Sequence, residues 1–235
     1  MKNIERRVPP RVRSLLRRIG REAEAAGLQA YAVGGCVRDW IMRVLKSPDL
    51  DVVVEGNGIE FATRLAMRLR AHLTTHQQFG TSTLQLSHGR RLDIATCRKE
   101  TYREPAAYPK VEPGSVREDL FRRDFTINAM AMALHASHFG ELVDPFGGVR
   151  DLRFKRLRVL HAASFRDDPT RMLRGARFAT RFCLTLEPVT HRWWTEAVAA
   201  GWLARVNRGR LRKELLRMLD EPDPVACATW LGARL

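Results

Sequence analysis

The stretch from Tyr31 to Gly56, YAVGGCVRDWIMRVLKSPDLDVVVEG, restricts what this chain can fold into more than any other. The apolar run Tyr31 to Val33 meets Gly34-Gly35, and Cys36 to about Leu45 has the texture of a helix. A polar break then leads to Asp49-Leu50-Asp51 and a second apolar run, Val52 to Val54. Strand, glycine turn, helix and strand in that order present backbone N–H groups to a phosphate and carboxylates to a metal. Residues two apart on a strand share a face, so Asp49 and Asp51 point the same way, about 7 Å apart along it. Such a pair chelates one hard cation or bridges two. Arg38, in the first turn of the helix, reaches the same phosphates. The plainer alternatives are a tight turn without ligand, an exposed acidic pair, and Asp39 as a charge that only suits the helix dipole.

Around this stretch the pattern alternates between helix and strand. Val12, Leu15, Leu16 and Ile19 predict a helix over Arg11 to Ala26 capped by Gly27, and Phe61, Leu65, Ala66 and Leu69 predict another over Ile59 to Ala71. Ser82 to Leu86 and Arg91 to Ala95 read as a hairpin turning at Ser87-His88-Gly89-Arg90. Asp93 lies between Leu92 and Ile94 and faces away from them, either as a further carboxylate for the same ions or as a satisfied polar residue. Arg98 to Gly114, rich in Pro and Glu, reads as an irregular or mobile loop. Ser115 with Glu118 predicts a capping box, and the helical texture continues through Arg122-Arg123-Asp124-Phe125-Thr126-Ile127-Asn128-Ala129-Met130. There Arg122-Arg123 is either a phosphate-facing pair or a solvated basic face, and Asp124 with Asn128 stands at helical spacing. Glu141 to Val143 is a short strand ending at Asp144-Pro145-Phe146-Gly147-Gly148. From Asp167 the texture is helical throughout: Asp167 to Phe182, Thr190 to Ala200, Arg208 to Leu219 and Pro224 to Leu231. The boundary between the two textures is placed near residue 160, giving units 1–160 and 161–235.

Charge narrows the function classes. The formal net charge of +15, carried mostly by Arg, favours a polyanionic partner, since a guanidinium fork suits phosphate. No apolar run is long enough for a membrane span, and Met1 to Pro10 has no signal-peptide h-region. Four scattered cysteines, Cys36, Cys97, Cys183 and Cys227, fit a reducing cytoplasmic setting and not a zinc or disulfide framework. His72 with His76 and His135 with His138 lack a third ligand and read as ordinary surface or core residues. Trp193, Trp194 and Trp202 are expected in the core of the helical part, with base stacking as the alternative.

Asp168, Arg171, Arg174 and Arg177 recur every three residues, so on one helix each step turns by about −60° and the first three share a sector. A carboxylate accepting from an exocyclic amine beside an Arg donating to a ring acceptor imitates a Watson–Crick edge. C and A carry that pattern; G and U do not share it. Intrahelical Asp–Arg pairing is the alternative.

Gly34 to Asp39 followed by Asp49-Leu50-Asp51, the RRDFTINA run at 122–129, the DPFGG run at 144–148 and the DPTRMLR run at 168–174 together resemble the class II tRNA nucleotidyltransferases and related bacterial poly(A) polymerases. The resemblance spans roughly residues 30 to 180. It implies an α+β fold, a nucleotidyltransferase-type head with a small mixed β-sheet flanked by helices, followed by an all-helical neck. It implies Mg²⁺ held by Asp49 and Asp51, binding the triphosphate and activating an RNA 3′-hydroxyl, and Asp93 is then the candidate for a further carboxylate facing the same ions. Gly34, Gly35, Arg38 and Arg123 then contact the nucleotide, Asp168 and Arg171 act as a protein template for its base, and Arg174 and Arg177 add further contacts. Where the family usually has Glu before that Asp, this chain has Asp167. The loop 98–114 resembles one that helps switch the site toward adding A, and Arg208 to Leu215 resembles a neck element. The implied partners are the tRNA 3′ end with ATP and/or CTP. A poly(A) polymerase is the nearer alternative, and a silent RNA-binding module the more distant one. Relatives of this kind continue past such a neck, so this chain is expected to be a piece of a longer protein or a compact enzyme that grips tRNA by charge.

Overall fold

A computed structural model describes residues 1–44, 49–86 and 89–235. The chain packs into two compact units, one of Met1–Lys99, Val111–Arg123 and Asn128–Gly148, the other of Glu100–Lys110, Asp124–Ile127 and Val149–Leu235.

The strands in chain order are β1 (Gln29–Val33), β2 (Asp49–Glu55), β3 (His72–His76), β4 (Thr81–Gln85), β5 (Arg91–Thr96), β6 (Arg98–Thr101), β7 (Lys110–Pro113), β8 (Ala131–Ala133) and β9 (Leu142–Val143). Seven of them form the sheet of the first unit in the order β3-β4-β5-β2-β1-β8-β9. Each neighbouring pair is antiparallel except β2–β5, so the sheet is mixed, as expected. Helices α1 (Pro10–Ala25) and α3 (Gly58–Leu69) pack against the sheet and each other, and α2 (Gly35–Met42) joins β1 to the segment before β2. Leu16, Ile19, Phe61 and Leu65 on the helices and Leu84, Leu92 and Ile94 on the strands are fully buried. Each such side chain contributes roughly 1.5–3 kcal/mol by leaving water.

Several expectations change here. Helix α2 ends at Met42, with Arg43 in the left-handed region as its cap; the predicted end at Leu45 lies outside the described residues, as do Ser87 and His88 of the predicted hairpin turn. The hairpin itself forms, β4 against β5, with Gly89 at φ +71°. The predicted helix to Ala71 stops at Leu69, and His72–His76 becomes an edge strand. That strand is polar and exposed, so it carries no alternation for a sequence reading to find. Residues 98–114 are not wholly irregular, since β6 and β7 pair with each other. The capping box holds: Ser115 Oγ accepts from Glu118 N, and Glu118 Oε2 accepts from Ser115 N at 2.8 Å. The helix it starts, α4, covers only Val116–Phe121. Ile127 and Ala129 to Met132 are all fully buried, so this run enters a central strand and is not one face of a helix.

After α5 (Gly148–Arg153), the second unit runs through β10 (Arg156–Leu157), α6 (Ser164–Asp167), α7 (Arg171–Phe182), β11 (Thr185–Leu186), α8 (Pro188–Ala199), α9 (Arg208–Leu219) and α10 (Pro224–Gly232). A two-residue parallel ladder, β10 with β11, accompanies these helices. Trp194 is buried edge-on against Phe165 (5.3 Å) and Trp230 (5.5 Å), and its Nε1 donates to Arg234 O at 2.9 Å. It is a core residue. The predicted continuous helix Asp167–Phe182 is broken into α6 and α7. Asp168, preceding Pro169, takes an extended backbone (φ −138°, ψ 91°), because the proline ring excludes the helical conformation from the residue before it.

Candidate active site

The sheet register assembles the acidic part of the site. Along β2, Leu50, Val52 and Val54 are buried, while Asp49 and Asp51 alternate with them onto the opposite face. In the parallel pairing of β2 with β5, Asp51 lies directly beside Asp93, and Asp49 beside Arg91. Neighbouring strands stand about 4.8 Å apart, so Asp51 and Asp93 share a face at close range. The row extends one strand further, where Thr83 pairs with Asp93 and donates its hydroxyl to Asp93 Oδ1 at 2.6 Å. Arg91 binds the same carboxylate through Nε (3.0 Å) and Nη2 (2.8 Å). Asp93 thus has its hydrogen bonds satisfied and lies on the same face as Asp49 and Asp51.

Burial raises the Asp51 pKa above the ordinary carboxylate value; the Arg123 guanidinium opposes this, and Asp93 and Asp49 add to it. Close behind, the buried Cys36 thiol is pushed up to about 12 by desolvation and by the Asp51 charge, so it is an inert packing residue. Carboxylates held together against their mutual repulsion are the setting a cation relieves. Among the described residues no group of three or more His, Cys, Asp or Glu forms a ready-made cage. Mg²⁺ suits that arrangement, because it binds through one or two carboxylates, its own waters and substrate phosphates.

Beside the carboxylates lies the glycine turn. Gly34 has φ +74° and ψ −129°, and a Cβ there would come within 2.6 Å of Arg123 Nη1. A side chain is thus excluded both by backbone conformation and by the guanidinium packed on the turn. Arg38 is buried; its Nη2 meets Asp39 Oδ1 at 2.7 Å and its Nη1 donates to Asn128 Oδ1 at 2.5 Å. Its Nη2 also lies 3.6 Å from where a Gly35 Cβ would stand, so the guanidinium covers that glycine. Arg123 is aimed by Asp119, a fully buried residue, through Nη2–Oδ2 at 2.8 Å, while Arg122 takes the other oxygen at 2.7 Å. Burial alone would raise the Asp119 pKa, but the two guanidiniums outweigh it and hold the group below its usual value. Gly34, Gly35, Arg38, Asp49, Asp51, Asp93 and Arg123 are all residues of the first unit.

The second unit carries the remaining predicted residues. Arg171, Arg174 and Arg177 sit on α7, but Asp168 does not, so the helical spacing holds only for the three arginines. Asp168 is tied to the start of α7 by a turn, with Arg171 N donating to Asp168 O at 3.0 Å. Arg171 is buried at 4% exposure, and it helps depress the nearby His161, whose pKa falls to about 4 mainly through burial. Arg174 is engaged by Asp124 (Nε–Oδ2 2.8 Å) and by Glu214 at 3.7 Å. Arg177 spans Glu214 (3.1 Å) and Glu221 (2.8 Å), and Arg181 also binds Glu221. The structure thus places Arg174 and Arg177 in a carboxylate network, with Arg171 and Asp168 at the beginning of the helix. Sequence reasoning missed Asp119, Glu214 and Glu221. The signal available was the i, i+4 spacing of Asp119 to Arg123 and the isolated acids in an Arg-rich helical region.

Residues 30–158, more than half of the chain, match the family model of the poly(A) polymerase head domain. An A-adding tRNA nucleotidyltransferase of Aquifex aeolicus is 48% identical over 83% of this chain and 23% of its own length. One of Geobacter sulfurreducens is 41% identical over 94% of this chain and 25% of its own length. This chain therefore spans about a quarter of each of these two relatives. The solved structure of a CCA-adding enzyme in an apo form superposes with a TM-score of 0.91 at 43% identity, over 97% of this chain and 54% of that one.

Proposed function

Because the chain belongs to the poly(A) polymerase head-domain family, that of the class II tRNA nucleotidyltransferases, we propose that it adds C and/or A to the 3′ end of tRNA. The observation that carries the reading is the register of β2 against β5, with Asp49, Asp51 and Asp93 on one face beside the Gly34 turn. The reaction forms a bond between the RNA 3′-oxygen and the α-phosphorus of the nucleotide and releases pyrophosphate. Asp49 and Asp51 would hold Mg²⁺, which would supply charge neutralisation of the triphosphate and activation of the 3′-hydroxyl. The backbone of Gly34 and Gly35 lets phosphate approach the N-terminus of α2, and Arg123 and Arg38 supply positive charge there. Asp168 and Arg171 read the edge of the incoming base, the acid accepting from the amine of C or A. Arg174 and Arg177 support that helix through Asp124, Glu214 and Glu221 and stand as further nucleotide contacts. We place the catalytic head at 1–160 and the base-selecting neck at 161–235, acting in the cytoplasm.

The names of the two relatives favour A addition as the specific activity. The test is incubation of purified protein and Mg²⁺ with tRNAs ending before CCA, after CC and with full CCA, one triphosphate at a time. Extension only of the CC-ended tRNA with ATP identifies A addition, and stepwise extension identifies CCA addition. Long A tracts on any RNA would instead make it a poly(A) polymerase, and no extension would refute the enzymatic reading.

A further inference from the structure

All the hydrogen bonds that Asp168 accepts on its side chain fall on one of its two oxygens. Oδ1 takes Thr170 N (3.0 Å), Thr170 Oγ1 (2.6 Å) and Arg210 Nη2 (2.8 Å), while Oδ2 accepts none among the described residues. Two of these donors belong to the turn that starts α7; the third comes from α9, far along the chain. Arg210 uses its other arm on Ala106, Nη1 donating to the carbonyl at 2.8 Å, and its guanidinium lies 5.5 Å from the ring centre of Tyr108. Ala106 is held in the left-handed region (φ +61°), and its N–H donates to Arg166 O at 3.0 Å. Its carbonyl direction is therefore set by a backbone conformation that few residues other than glycine adopt.

We propose that Arg210 is the positioning residue of base selection: it clamps Asp168 Oδ1 and leaves Oδ2 as the acceptor presented to the base. The inference rests on the reading of Asp168 as a base-contacting residue. Thr170 alone leaves the carboxylate free to rotate about its own turn; the fork of Arg210, fixed at Ala106, removes that freedom. A planar fork serves two acceptors at once, and a lysine ammonium on a flexible stem does not hold both in fixed geometry.

The experiment measures kcat and KM for CTP, ATP, UTP and GTP on a tRNA primer, using the full chain as wild type, Asp168→Ala, Arg210→Ala, Arg210→Lys and Arg212→Ala. Arg212 is exposed on the same helix and serves as the control. Arg210→Ala is expected to lower kcat/KM for the preferred nucleotide by ~10- to 100-fold, as misplacing a positioned group does, with UTP and GTP little changed. Arg210→Lys, which keeps the charge and the stem, recovers only part of the discrimination and keeps the fold intact if the alanine variant does not. Equal loss for all four nucleotides in both Arg210 variants would reduce Arg210 to a structural role and overturn the inference. So would unchanged discrimination in Arg210→Lys and Arg210→Ala while Asp168→Ala relaxes it. Unchanged discrimination in Asp168→Ala removes the base-reading role of Asp168, and the inference with it.

Discussion

Two acidic clusters, one in each unit, are handled in opposite ways. In the first, the sheet register brings Asp49, Asp51 and Asp93 onto one face, and burial together with its acidic neighbours raises the pKa of Asp51. In the second, carboxylates are matched to guanidiniums: Asp124 to Arg174, Glu214 to Arg174, Arg177 and Arg217, Glu221 to Arg177 and Arg181. Glu221 is accordingly held below its usual pKa by Arg181 and Arg177 against the opposing effect of burial. Under the proposed reading the first cluster serves chemistry and the second architecture: carboxylates set against one another are the setting a cation relieves, whereas Glu214 and Glu221, set between arginines, hold helices in register.

The largest effects come from breaking the first arrangement. Asp49→Ala or Asp51→Ala is expected to lower incorporation of labelled nucleotide by roughly a thousand-fold or more, the loss of several kcal/mol of charge stabilisation. Filter binding of tRNA stays unchanged or tightens slightly in either variant; retained incorporation would remove the metal-site assignment. Asp51→Asn adds the contrast, because removing a charge the fold disfavours leaves thermal stability unchanged or higher. Glu221→Ala does the reverse: it strands Arg181, leaves Arg177 with Glu214 alone and costs roughly 3 kcal/mol, near the low end for a buried pair since Arg181 is partly exposed. Urea denaturation reads that loss, and an unaltered midpoint would show that Glu221 is not structural.

Smaller effects sharpen the same contrast. Arg171→Ala is expected to relax base choice by about 10-fold, the scale of one lost base-edge contact, measured as competing incorporation of the four triphosphates. Equal discrimination before and after would refute the templating role. His161 gives the pH test. Its folded pKa is near 4 against an ordinary 6.5, so between those values the unfolded chain binds a proton that the native protein does not. Stability is therefore expected to fall as pH drops from 6.5 toward 4, and His161→Gln should flatten that part of the denaturation profile. An identical slope in the variant would place the acid sensitivity elsewhere.

How far these features were legible in the sequence follows from their physical origin. β1, β2 and β5 announce themselves because their buried residues alternate or run together with polar neighbours at fixed spacing, and Asp49, Asp51 and Asp93 stand out against them. β3 did not, because an exposed polar edge strand has no face to bury. The run from Arg122 to Met130 misled for the opposite reason: complete burial erases periodicity, and buried strand and buried helix then look alike. The helix through Asp168 failed on a single residue. Pro169 redirects the backbone before it, so a three-residue repeat that suggests one continuous helical face begins in a turn and only then enters α7. Glu214 and Glu221 stand out in the sequence only as isolated acids in an Arg-rich region, and which arginines they meet is decided by tertiary packing.

The parallel pairing of β2 with β5 also bears on how the chain reaches its native state. Parallel neighbours cannot be joined by a tight turn, and here the intervening chain forms α3, β3 and β4 before β5 is laid down. The antiparallel β4–β5 hairpin is local and closes quickly, whereas the β2–β5 ladder must first meet the loop-closure entropy of the whole excursion. Asp51 and Asp93 are therefore expected to become neighbours late on the folding pathway. Hydrogen-exchange pulse labelling during refolding would then protect the β4–β5 amides before those of β2, and metal-supported catalysis would appear only with the last of the sheet.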